Sequence, residues 1–166
     1  MFSLFALLAA AASNPSLTKP ALPVMPSLTI TDCENPKSRT ARLAEIEEDK
    51  SWTGSADRFN SAWADYLEAR MDKLGMSKSE QTKFLADVAD SKDFRILQAK
   101  NETILTQMGK DFETIKDTGS EEGACKTVAG MLDALTPMMQ NATQQYELMD
   151  KAIVAEAKRR KISLDD

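Results

Sequence analysis

The sequence predicts an all-α fold, a bundle of four to five helices with a long, proline-kinked C-terminal helix. Three observations carry this expectation. Ala, Leu, Met, Glu, Lys and Gln, the strong helix formers, dominate the second half of the chain. Apolar residues recur at steps of three and four along most of its length, and strand-like alternation is confined to Leu28 to Thr31, too short to build a sheet. Capping signals separate the periodic runs. With 166 residues and 42% hydrophobic content, one packed core and one domain are expected.

Residues 1–12 are apolar and end in an alanine run, which resembles a secretory signal peptide although no Lys or Arg precedes the apolar stretch. The competing readings are an untargeted apolar N-terminus or a misplaced start. A dozen apolar residues are too few for a membrane-spanning helix. Residues 13–32 carry Pro15, Pro20, Pro23 and Pro26, which favour an extended linker or strap over a helix. With no periodic apolar face, the stretch before about Thr31 is expected to be dispensable for folding. A proline ligand for an aromatic groove is a further reading of the same spacing.

The bundle domain is expected over residues 33–161, followed by a C-terminal tail, 162–166. Asn35-Pro36 reads as a helix start, proline being tolerated at the first helical position. Leu43 and Ile46 give that helix only a thin apolar face. Ser55 is the expected cap of a second helix bearing Phe59, Trp63, Tyr66, Leu67, Met71 and Leu74, with Gly75 as its stop. Ser77 and Glu80 form a capping-box pattern ahead of Phe84, Leu85 and Val88. After Asp90-Ser91 a fourth helix sets Phe94, Leu97, Asn101, Ile104, Met108, Phe112 and Ile115 on one face and ends near Gly119.

From Glu121 to about Lys161, Cys125, Val128, Leu132, Leu135, Met139, Ala142, Tyr146, Met149 and Ile153 follow heptad a/d spacing. The phase persists across Pro137, which favours one kinked helix; the alternative is a break, with Thr136 as cap of a new helix. Gly123, Gly130 and Pro137 share the f register and are expected to point outward, where weak helix formers cost no packing. The basic run Lys158 to Lys161 then complements the negative end of the helix dipole.

Chemistry is sparse. The chain contains no histidine, which removes the Ser-His-Asp and Cys-His systems, the usual zinc sites and the Glu-x-x-His di-iron pattern. No glycine-rich phosphate loop is present, and a net charge of −5 argues against a nucleic-acid partner. Glu45, Glu47, Glu48 and Asp49 read as a solvated helix face. Nine methionines raise copper binding, with Met131, Met138, Met139 and Met149 as candidates, but methionine also fills irregular cores. Asn101 and Asn141 head glycosylation patterns, Asn101 on an apolar face and Asn141 off the seam, and both patterns read as chance matches. Cys33 and Cys125, the two cysteines, are expected to form a disulfide in an exported chain and to be buried thiols in a cytosolic one. Leu135-Thr136-Pro137-Met138-Met139-Gln140 resembles the Leu-Thr-x-x-Gln motif of helical periplasmic stress chaperones, with one residue too many. That mismatch in spacing leaves it an analogy.

The function expected from these observations is a secreted or periplasmic helical binding or accessory protein, chaperone-like or inhibitory, with a protein partner. No cofactor, metal or catalytic residue is assigned. The alternative is a carboxylate-dependent hydrolase with Glu and Asp on facing helices.

Overall fold

A computed structural model describes residues 18–115 and 119–164, so the signal-like segment 1–12 lies outside the described residues. The described residues form six α-helices and no strand: α1 (Ile30–Glu34), α2 (Pro36–Glu48), α3 (Ser55–Lys73), α4 (Lys78–Ala89), α5 (Lys92–Thr114) and α6 (Glu121–Arg160), with a 3-10 turn, Lys50–Trp52, between α2 and α3. Five match the expected helices. The sixth, α1, is a single turn inside what the sequence offered as linker and bundle edge.

Its cause is local hydrogen bonding. The Thr29 hydroxyl accepts from the Asp32 amide at 3.1 Å, and the Asp32 carboxylate accepts from the Thr29 amide at 3.0 Å, a reciprocal capping box. Asn35 ends α1 and caps α2, its side chain accepting from Lys37 and Ser38 amides ahead of Pro36. α2 buries no residue fully; Leu43 and Ile46 are half-covered, as the thin face predicts. At the next joint the expected cap is displaced by one residue. Gly54, at φ 68°, is the N-cap, and Ser55 is the buried first residue of α3. The left-handed backbone at 54 leaves the Ser55 hydroxyl free to approach Met25 Sδ at 3.5 Å. Gly75, also at φ 68°, closes α3 in a Schellman turn, with Gly75 N–H donating to Asp72 and Met76 N–H to Met71. Ser77 with Glu80, Ser91 and Ser120 cap α4, α5 and α6.

α6 is the spine. Its 40 residues make a rod of about 60 Å, longer than any partner helix, and the chain covers it by packing two groups of elements along it. α3, α4 and the first turns of α5 enclose its C-terminal half in a core of Phe59, Trp63, Tyr66, Met71, Tyr146 and Ile153. Trp63 stacks on Tyr146 at 5.3 Å between ring centroids, and Tyr66 meets Trp63 edge-on at 5.4 Å; such pairs add about 0.5–1.5 kcal/mol each beyond their burial. The N-terminal half carries a smaller core of Leu28, Cys33, Cys125, Ala129 and Leu132, built with the strap and α1. Pro137 sits between the two halves in an unbroken helix, which excludes the broken alternative. Asp133, whose carbonyl loses its helical partner to the proline, is exposed, so water can satisfy it.

Three sequence expectations are corrected here. The strap is extended but not idle: Leu28 is 6% exposed, Met25 packs against both cores, and Lys19 pairs with Glu147 of α6 at 2.6 Å. The expected tail is packed where it is described, since Leu164 is buried in the aromatic core beside the half-buried Ile162. The f line of α6 does not face outward. Gly123 is buried, Gly130 and Pro137 are half-buried, and they turn towards α5, which packs along the opposite side of the helix from the disulfide.

Candidate functional site

Helix α5 changes surroundings along its length. Phe94 and Leu97, near its start, are buried, Phe94 within the aromatic core. Further along the same face, Ile104, Met108 and Phe112 are only half-covered. Opposite them α6 presents Gly130, Ala134 and Pro137, side chains too short to fill the space between two helices. A groove of about 1170 Å³ results, with Met25 to Ile30 of the strap forming its third wall. The two helices are in contact at Gly130: a Cβ placed there would stand 3.1 Å from the Phe112 ring. Apolar side chains continue onto the surface nearby at Ile30, Leu105 and Met131, which are 59%, 36% and 45% exposed.

Charge lies at the rim. Asp111, Glu122 and Asp133 are exposed carboxylates lining the groove. Lys126 is the one cation among the described lining residues. It sits 2.8 Å from Glu122 and 3.3 Å from Glu34, and the Glu122 hydrogen bond raises its pKa while lowering that of Glu122. Asp111 accepts a hydrogen bond from Gln107, one turn earlier on α5.

The disulfide holds the strap wall. Cys33 and Cys125 are joined across 92 positions with Cα atoms 5.5 Å apart, both side chains buried. Cys33 belongs to α1, which the strap enters directly, and Cys125 faces Leu28 within the smaller core. Arg39 reinforces the joint by donating to the Cys33 carbonyl at 2.8 Å.

The remaining sequence candidates fall elsewhere. Glu45, Glu47, Glu48 and Asp49 are all exposed; Glu45 pairs with Arg42 at 2.6 Å, and Asp49 caps the turn at Ser51. Met139 and Met149 are buried in the aromatic core while Met131 is exposed, so the four copper candidates do not share one site. Among the described residues no group of three or more Cys, Asp or Glu is placed to hold a metal ion. Asn141 is 8% exposed, and its amide donates to Asn101 Oδ1 at 2.8 Å across α5 and α6. Asn141, although off the a/d seam, is thus buried against α5, where a glycan would have no room. The basic run is structural at Arg160, which pairs with Glu156 and donates to the Leu74 carbonyl at the end of α3 at 2.9 Å.

A second polar cluster covers the aromatic core. Lys19 lies 5.8 Å above the Trp63 ring, and Arg70, 5.2 Å from the centre of Tyr66, meets Asp150 at 2.9 Å. Burial raises the Tyr66 and Tyr146 phenols above their ordinary range, the Asp150 charge adding to the effect at Tyr66. These contacts fasten the strap and α3 to α6. A smaller hollow of about 440 Å³ lies between Pro20, Pro23 and Val24 of the strap and Arg58 and Phe59 of α3.

No single sequence motif marks the groove. Its signal is relational: a line of glycine, glycine and proline on one helix, set against an apolar face on the preceding helix that is longer than the core can cover. The fold and this site define a helical bundle with a disulfide-anchored strap and an apolar interhelical groove. No protein-family model matches the sequence, and neither a curated protein nor a solved structure matches it. No helix among the described residues is long and apolar enough to cross a membrane.

Proposed function

We propose that this chain is a secreted or periplasmic accessory protein, chaperone-like or inhibitory, that acts by binding an apolar segment of another protein in the groove between α5 and α6. The observation that carries the reading is the half-covered row Ile104, Met108 and Phe112. Apolar surface of this kind, rimmed by polar side chains, is retained where something binds it. Met25 and Met108 supply flexible, polarizable surface suited to varied partners. Support for export comes from the signal-like residues 1–12 together with the buried disulfide, which oxidising compartments preserve.

Photo-crosslinking tests the reading. A crosslinking residue at Gln107, exposed on the rim, should yield protein adducts in the native envelope or secreted fraction, whereas the same residue at Lys83, exposed on α4, should not. Equal adducts at both positions, or none at Gln107, would refute the groove as a binding surface.

A further inference from the structure

We propose that the groove's occupant is an amphipathic helix of a partner polypeptide whose polar flanks carry Lys or Arg. The proposal rests on the groove reading above and specifies its partner. Ile104, Met108 and Phe112 repeat at i, i+4 and i+8 and run about 12 Å along α5. On α6, Gly130, on which the Phe112 ring rests, Ala134 and Pro137 repeat at nearly the same rise along the floor of the trough. Two helices so arranged offer a third one a channel that takes anchors spaced i, i+3 or i+4 and i+7, the pattern of helix-in-groove recognition. The volume of about 1170 Å³ lies above the usual range for small-ligand pockets, roughly 300–1000 Å³.

Charge selects the sign of the partner. Asp111, Glu122 and Asp133 face solvent at the rim, and the Lys126 ammonium is held by Glu122 and Glu34. No cation among the described residues pairs with Asp111 or Asp133. A fatty acid or an acidic peptide would bring its carboxylates to this negative rim, whereas lysines flanking an apolar stripe would meet opposite charge.

Fluorescence anisotropy on the full chain with its disulfide intact provides the test. Three labelled helical peptides share a leucine stripe at i, i+3, i+4 and i+7 and carry lysine, glutamine or glutamate on their flanks. The lysine peptide should bind most tightly and the glutamate peptide least, with the difference shrinking as salt is added. Asp111→Asn combined with Asp133→Asn, both exposed positions, should weaken the lysine peptide by about 3- to 10-fold and leave the glutamine peptide unchanged. Ile104→Gln with Met108→Gln should weaken all peptides by about tenfold or more. Retained helical circular dichroism and an intact disulfide identify variants that have folded. Equal binding of all three peptides would overturn the charge assignment while leaving the groove reading intact. No peptide binding, with oleate bound instead, would overturn the helical partner. No binding of any probe, together with a dimer broken by the Ile104→Gln and Met108→Gln pair, would assign the groove to a second copy of the chain and overturn the proposal.

Discussion

Gly130 of α6 and Phe112 of α5 interlock: the ring lies where a β-carbon on residue 130 would be 3.1 Å away, so the absent side chain admits the aromatic one. Glycine in a helix interior costs about 0.5–1 kcal/mol relative to alanine. Phe112 borders the groove and has room to swing by a few tenths of an ångström. Gly130→Ala should therefore be stabilising by a few tenths of a kcal/mol. Gly130→Leu should displace the ring and cost about 1–3 kcal/mol. Urea denaturation of both variants checks this, and an alanine variant destabilised by more than about 1 kcal/mol would show that the ring cannot move.

The strap carries stability. Leu28 is 6% exposed in the disulfide core, and Thr29 caps α1. A chain starting at Thr31 should lose about 3–6 kcal/mol, the combined cost of one buried leucine and one helix cap. The reference is a chain starting at Thr18, which keeps the whole described strap. Equal melting of the two truncations would mean that Leu28 contributes nothing.

Closing a span of 92 positions corresponds to about 4–5 kcal/mol of loop-closure entropy in the unfolded chain. Paired Cys33→Ser and Cys125→Ser substitutions should lower stability by up to that amount, and the non-reduced native protein should weigh about two hydrogens less than its dithiol form. Two alkylatable thiols in the native protein would contradict the bridge.

Within α6, Leu132 and Pro137 should respond in opposite directions. Leu132 is 4% exposed, and truncation to alanine should cost about 2–5 kcal/mol. Pro137→Ala restores a helical hydrogen bond to the Asp133 carbonyl and removes a ring that fills neither core, so it should stabilise by up to about 3 kcal/mol. Chemical denaturation distinguishes the cases. A destabilised Pro137→Ala would mean that the proline geometry is required where the two halves of α6 meet.

Acid should weaken both ends of the molecule. Hydrogen bonds from Thr29 and then Ser38 hold Asp32 at about 2, below its ordinary 3.8, and those from Arg159 and Arg160 hold Glu156 at about 2, below 4.5. A depressed carboxyl contributes stability that is complete above its unfolded pKa and is lost as pH falls through the folded one. The window is therefore about pH 4.5 down to 2. Asp32→Asn and Glu156→Gln should each flatten the fall in stability between about pH 5 and 2.5. An unchanged slope in both variants would remove these carboxylates from the acid response.

The sequence by itself determined the helices and their joints, because these depend on contacts a few residues long. Asn35-Pro36, Gly75, Ser77 with Glu80 and Ser91 act within one turn of themselves, and the a/d seam of α6 needs only the period of a helix. The disulfide was legible from residue count and context. Tertiary structure decided which residues served a second surface. Heptad phase marks one buried stripe, but a 40-residue spine is enclosed on more than one side. The f line that reads as outward in isolation became the face against α5, and Leu28, Leu164 and Asn141 became buried through partners far along the chain. The groove arises for the same reason. Neither the short side chains of α6 nor the half-covered face of α5 forms a cavity alone, and their opposition is set by packing, which a pattern within one helix does not encode.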